Sequence, residues 1–359
     1  MLLNRPNPHG GDIYKNRVKL DFSANVNPAG MPEAVRDALI RSADRASVYP
    51  DPSCSALREA VGAAEGVSPD EILCGCGAAE LIYSYAYALM PERGVPALPA
   101  LLVSPTFSEY RTALEAAGIG AEDFFLKESD GFRLTEEILE LDFSRYSALF
   151  LCSPNNPTGL AVPPSLVRKL AEAGIRMFLD CCFLDLTDDP ERYDLPALIR
   201  DFPNLTVLRA FTKSYAMAGV RLGYALSSDT AFLTAMSGKA PCWNVSTMAQ
   251  EAGIAAAGCG SWLRESVKTI TRERTRLYDA LTGLGLFVVP GEANFLLIWA
   301  GRGIGSGRAD DLPRRLLCAG ILVRDCSNYV GLGPGWFRIA VRTPEENDAL
   351  LTAVGEELS

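Results

Sequence analysis

The 359-residue sequence predicts an α/β protein: a large part built on a mainly parallel sheet with helices on both faces, then a smaller α+β part. Three observations predict this. Short β-rich runs alternate with longer amphipathic stretches, polar residues suited to ligand binding stand at the ends of those runs, and the alternation changes character after about Gln250. The expected division is an N-terminal arm over residues 1–24 that folds over the functional site, a large domain over 25–250 and a small C-terminal domain over 251–359.

Taken in order, EILCGCGAAELIYSYAYALM, beginning at Glu71, reads as a strand end, a glycine turn and a helix. ALLVSPTFSEYRTALEAAG, from Ala100, repeats the plan. SALFLCSPNNPTG, RMFLDCCF and LTVLRAFTKS supply three more apolar strands, with LVRKLAEAG as a helix between the first two. Beyond Gln250 a long charged helix, SWLRESVKTITRERTRLYDALTGL, leads into strands around GLFVVP, NFLLIWA, ILVRD and WFRIAVR and then a polar helical tail. GRGIGSGRADD is a glycine-rich surface loop between a strand and a helix, and it does not open a helix as a dinucleotide fingerprint does.

Composition removes whole classes of function. Asp+Glu 44 against Lys+Arg 34 gives a net charge of −10, which repels nucleic acid and anionic membrane surfaces. No apolar run is long enough to span a membrane, and MLLNRPNPHGG lacks the apolar core of a leader, so the expectation is a cytoplasmic protein. Ten cysteines contain no C-x-x-C pair, and those in LFLC and LDCCFL read as small buried hydrophobes, so no metal site is expected. His9 is the only histidine, which rules out multi-histidine metal sites and any Ser-His-Asp triad with another base. It stands in HGGD, as an ordinary surface residue or as part of a segment that flexible glycines fold over a ligand.

The chemistry concentrates between Ser153 and Gly223. SPNNPTG, LDCCF and FTKSYAMAGVRLG each carry a polar residue suited to a different atom of pyridoxal 5′-phosphate. Asn156 suits the phenolic oxygen, Asp180 the pyridine nitrogen, Lys213 the Schiff base and Arg221 the phosphate. An aspartate at a strand end is also a common helix cap, and most lysines are solvated. A pyridinium, however, is the cation a buried Asp180 needs, and an apolar strand end desolvates Lys213 toward a reactive neutral amine. Gly75, Cys76 and Gly77 in CGCGAAEL offer backbone N–H groups at a helix start to the same phosphate, and Phe107 in SPTFSEY has the shape to stack on the ring or to fill the core.

These residues carry a family resemblance that runs nearly end to end. HGGDIY, LDFSANVNPAGMP, YPDP, FSEY, CSPNNPTGL, FTKSYAMAGVRLGY, ANFLL, RDCSNYVGL and FRIAVR occur in order, and the chain resembles the fold type I pyridoxal-phosphate enzymes of the histidinol-phosphate aminotransferase branch. Within that branch it is similar to the threonine-phosphate decarboxylases of cobalamin biosynthesis. The resemblance implies that Lys213 holds the cofactor, Asp180 pairs with the pyridinium, Asn156 meets the phenolic oxygen, and Arg221 and Thr212 lie by the cofactor phosphate. It implies that Tyr49 reaches the cofactor phosphate of a neighbouring subunit, hence a homodimer with shared sites. It places Arg338 on the substrate as a clamp, Arg324 with His9 on a substrate phosphate, and Gly10 and Asn25 on the same side.

Three positions depart from the family pattern. Ala210 stands where a Ser or Thr usually donates to the cofactor phosphate, Phe183 stands where the aminotransferases carry Tyr, and Cys76 stands where relatives often carry Asn. The reaction implied is decarboxylation of L-threonine O-phosphate to (R)-1-aminopropan-2-ol O-phosphate. Histidinol-phosphate transamination on the same scaffold is the alternative, because a small rotation of substrate decides which bond at the α-carbon breaks. A non-catalytic pyridoxal-phosphate sensor is a third reading, disfavoured by the acidic charge and the lack of a helix-turn-helix pattern.

Overall fold

A computed structural model describes residues 9–16, 18–301 and 311–358. Residues 1–8 of the expected arm and 302–310 of the glycine-rich loop lie outside the described residues. Thirteen strands are described: β1 (Leu20–Asp21), β2 (Ile72–Gly75), β3 (Ala100–Ser104), β4 (Ala121–Phe125), β5 (Leu149–Cys152), β6 (Met177–Asp180), β7 (Leu205–Ala210), β8 (Gly223–Leu226), β9 (Phe287–Val288), β10 (Phe295–Trp299), β11 (Ile321–Leu322), β12 (Arg324–Asp325) and β13 (Trp336–Ala340).

Seven strands form the main sheet in the order β2-β8-β7-β6-β5-β3-β4. Pairings among β7, β6, β5, β3 and β4 are parallel, and β8 runs antiparallel to both β7 and β2. The central strands LFLC, MFLD and LTVLRA are buried at every position, as a sheet covered on both faces requires. One face packs on a large cluster that includes Leu149, Leu151 and Leu179, the other on a second cluster around Tyr85, Tyr110, Phe150 and Phe178. Strands β4 and β8 were not legible as strands in sequence. AEDFF carries two adjacent acidic residues and is only partly buried, and GYAL is short and joins the sheet by reversing direction.

The C-terminal part forms an antiparallel sheet in the order β12-β13-β10-β9, flanked by the helices Gly260–Gly283 and Pro344–Leu358. The structure corrects one element here. ILVRD is not one strand: β11 pairs in parallel with β1 from the arm, and β12 pairs with β13. Between them, Phe22 ties the arm down by donating to the Leu322 carbonyl at 2.7 Å and accepting from the Ala340 N–H at 2.8 Å. The exchange of partners at Val323 sets Arg324 directly opposite Arg338.

Candidate active site

Two strand ends build the floor of a cavity of about 240 Å3. β6 ends on Asp180, whose Oδ1 accepts from the Cys182 N–H at 2.9 Å and whose Oδ2 accepts from the Tyr110 hydroxyl at 2.6 Å. Burial pushes the Asp180 carboxyl above its usual range, and the hydrogen bonds from Tyr110 and Cys182 pull against that. Beyond the end of β7, the short helix Phe211–Ser214 aims Lys213 into the same space, with Nζ 5.9 Å from the centre of the Phe183 ring. Burial, then the nearby Arg338 charge, brings the Lys213 amine down to about 8. Its backbone is fixed from behind, since the Asn27 N–H donates to the Lys213 carbonyl at 3.0 Å. Ala210, Thr212 and Phe107 also face the cavity.

The side wall comes from the loop after β5 and from the C-terminal sheet. Asn156 Oδ1 accepts from the Tyr329 hydroxyl at 3.1 Å and from Arg338 Nη1, which leaves the amide N–H groups as its donors. Arg338 Nη2 donates to the Ser23 carbonyl at 3.0 Å, and its guanidinium lies 5.3 Å from the Phe295 ring centre. With the Asn25 amide oxygen turned toward Arg338, it accepts from Nε at 3.2 Å and from Nη1 at 3.1 Å. Arg324 Nη2 donates to Asn328 Oδ1 at 2.9 Å, and its guanidinium stands 5.1 Å from the Tyr329 ring centre. At the mouth, His9 and Gly10 close over the cavity, with His9 Nε2 2.8 Å from Glu109 Oε1.

At the opposite end, the expected placement of the glycine turn needs correction. Gly75, Cys76 and Gly77 do not line the cavity; Ala78 and Ala79, one step further into the helix Gly77–Ala88, do. The Cys76 N–H is taken by Glu80 Oε2 at 2.6 Å, an internal cap that pattern reading did not anticipate. Gly77 has another task. At φ +80 it lies against the Arg221 guanidinium, and a Cβ there would stand 2.6 Å from Nη2. Arg221 itself sits in the left-handed region, at φ 62, a conformation that costs about 1–3 kcal/mol and is typical of functional turns. Tyr49 is away from the cavity, exposed, and stacked on the exposed Trp243 with ring centres 4.6 Å apart.

Residues 17–354 match the family model described as aminotransferase class I and II. The chain belongs to that family. It is 38% identical to the threonine-phosphate decarboxylase of Salmonella typhimurium across 98% of this chain and 96% of that one. It is 31% identical to histidinol-phosphate aminotransferase 1 of Cupriavidus pinatubonensis across 95% of this chain and 88% of the other. The crystal structure of the histidinol-phosphate aminotransferase from Clostridium acetobutylicum superposes with a TM-score of 0.85 at 26% identity, covering 94% of this chain and 99% of that one. As in the rest of this aminotransferase family branch, the fold is type I and the cofactor is pyridoxal 5′-phosphate.

The residues present fit that cofactor. Asp180 is a buried carboxylate held by two neutral donors, and it makes no ion pair among the described residues, so a pyridinium would supply a matching charge. Lys213 is buried with its amine near neutrality, and Arg221 with the start of the helix Gly77–Ala88 forms a cationic end for a phosphate. Sequence reasoning missed Tyr110, Tyr329, Ala78, Ala79, Cys152 and Cys182 on the cavity wall. Tyr110 was within reach: it lies three residues after Phe107, in the first turn of the helix Glu109–Ala116, and the two rings meet edge to face with centres 5.7 Å apart.

Proposed function

We propose that this chain is a pyridoxal 5′-phosphate-dependent decarboxylase that converts L-threonine O-phosphate to (R)-1-aminopropan-2-ol O-phosphate and carbon dioxide in cobalamin biosynthesis. The observation that carries the reading is the cross-strand pair Arg324 and Arg338. Both are buried on one cavity wall, and like charges directly opposite each other across an antiparallel pair are destabilising. Such an arrangement is kept where the ligand brings two anions, here a carboxylate and a phosphate. The identity to a threonine-phosphate decarboxylase across nearly the whole chain supports the same substrate.

When bound, the cofactor supplies an electron sink for the α-carbon of an amino acid. Lys213 holds the cofactor and returns a proton to that carbon once the carboxylate has left, a task suited to an amine near neutrality. Asp180 keeps the ring nitrogen protonated, Asn156 gives an amide N–H to the phenolic oxygen, and Arg221 with Thr212 meets the phosphate. Arg338 grips the substrate carboxylate beside an apolar surface. Phe183 packs edge-on against Phe295, with ring centres 4.9 Å apart, and it has no hydroxyl where the aminotransferases carry tyrosine. Uncharged carbon dioxide leaves toward those rings more readily than a charged carboxylate stays there.

The reading includes a homodimer in which Tyr49 serves the neighbouring site; the exposed Tyr49–Trp243 stack and the exposed Val48 and Met248 near it in sequence support this. It includes the division at residue 250 into large and small domains, supported by their separate sheets. It also includes a cytoplasmic location, supported by ten free cysteines. The test is carbon dioxide release from L-threonine O-phosphate with no keto acid present. Repeated turnover is expected. A stall after one turnover, or rapid turnover of histidinol phosphate that depends on 2-oxoglutarate, overturns the decarboxylase in favour of an aminotransferase.

A further inference from the structure

The arm is pinned at two neighbouring points where it crosses the cavity mouth. Gly10 lies so close to Ser23 that a Cβ would stand 2.5 Å from the Ser23 carbonyl oxygen, and the Gly11 N–H donates to Ser23 Oγ at 2.7 Å. Asp21 Oδ1 holds that hydroxyl in turn at 2.6 Å. The same Ser23 carbonyl accepts from Arg338, so the arm is seated on the group that orients the carboxylate clamp. The second point is Glu109, whose Oε1 lies 2.8 Å from His9 Nε2, while the Phe107 ring stands 5.5 Å from the imidazole. A carboxylate can only accept, so the hydrogen of this bond belongs to the imidazole nitrogen.

Glu109 is the first residue of the helix Glu109–Ala116, where an acidic side chain complements the helix dipole. That role alone asks for a side chain in water. Instead it is largely covered and turned across the cavity mouth to a residue one hundred positions earlier in the chain.

We infer that Glu109 is a positioning residue that sets phosphate selectivity: it fixes the His9 imidazole at the mouth so that the ring, with Arg324, receives the substrate phosphate. This rests on the proposed phosphorylated substrate. Because Nε2–H is given to Glu109, a phosphate oxygen can accept from the other ring nitrogen only when that nitrogen also carries hydrogen, so the ligand is received by the positively charged ring. It then stands about twice as far from Glu109 as from the imidazole, and Coulomb energy falls inversely with distance, so the nearer charge dominates. The negative charge of Glu109 is thereby made compatible with an anionic ligand.

His9 is the only histidine of the chain, so its ring gives a single set of imidazole NMR signals. In the full-length holoenzyme, added inorganic phosphate is expected to shift those signals. In Glu109→Ala the shift is lost, and in Glu109→Gln, whose amide oxygen still accepts, it returns. With L-threonine O-phosphate, Glu109→Ala raises KM by about tenfold, the loss of roughly one hydrogen bond to a charged group, with kcat within about twofold. Glu109→Gln restores KM. Unchanged imidazole shifts and KM in Glu109→Ala overturn the inference, as does a fall in KM, which would mark Glu109 as a repeller of the phosphate. If the substrate reading is wrong but this one right, the NMR response to phosphate and its loss in Glu109→Ala persist without carbon dioxide release.

Discussion

The two halves of the cavity are made in different ways. The cofactor half comes from a compact run of sequence, the ends of β5, β6 and β7, and its charged groups rest on a sheet buried on both faces. The half proposed for the substrate is assembled from the arm and the C-terminal sheet, and its two arginines face each other across a strand pair. In the first half a buried carboxylate and a buried amine stand at strand ends; in the second two like charges lie opposite each other, an arrangement that costs stability unless neighbouring groups or a ligand offset it.

The sharpest way to break that comparison is to remove the group on which both halves converge. Lys213→Ala should lower turnover by about 10^4-fold or more while leaving the fold intact, and borohydride should no longer fix the cofactor to the chain. In the parent chain, cofactor uptake should speed up as pH rises through about 8, because burial lowers the lysine and the neutral amine is the form that reacts. A label found on Lys239 instead would end the assignment of the cofactor half.

Arg324→Leu probes the substrate half. KM for a phosphorylated substrate should rise by about thirty- to several-thousand-fold, the consequence of losing a desolvated charge contact of about 2–5 kcal/mol. Cofactor affinity should barely move. Because Arg338 then loses the like charge opposite it, Tm should rise, and a falling Tm would show that the pair is not under the expected repulsion. The smallest effect belongs to Tyr110→Phe, which deletes one hydrogen bond to Asp180. A fall in kcat of about tenfold, with cofactor retained, is the expected scale for a bond to a charged acceptor. An unchanged kcat would mean that the Cys182 N–H alone steadies the carboxylate.

The same contrast explains what was legible in sequence. Asn156, Asp180 and Lys213 could be singled out because each follows an apolar run, and the structure brings all three to one cavity. The pairing of Arg324 with Arg338 was not readable, since it depends on ILVRD changing partners at Val323, and register between distant strands leaves no local trace. The glycine turn was expected at the cavity wall, where Ala78 and Ala79 stand instead, for a similar reason. Glycines mark a turn, but that Glu80 folds back to take the Cys76 N–H, leaving Ala78 and Ala79 at the wall, is decided by side-chain geometry within the first helical turn. Phe183 was read as a missing hydroxyl, and its packing on Phe295 appeared only in three dimensions.

The parallel pairing of Leu20–Asp21 with Ile321–Leu322 also orders events on the ribosome. All seven strands of the main sheet have been synthesised by residue 226, whereas the arm's strand waits for a partner made far later. At about 5–20 residues per second that wait is on the order of tens of seconds, during which Leu20 and Phe22 have no strand to cover them. The nascent chain can therefore form the main sheet, with Asp180 and Lys213 at its strand ends, well before Arg324 and Arg338 are made, so the wall on which those two arginines face each other is the last part of the cavity to be completed.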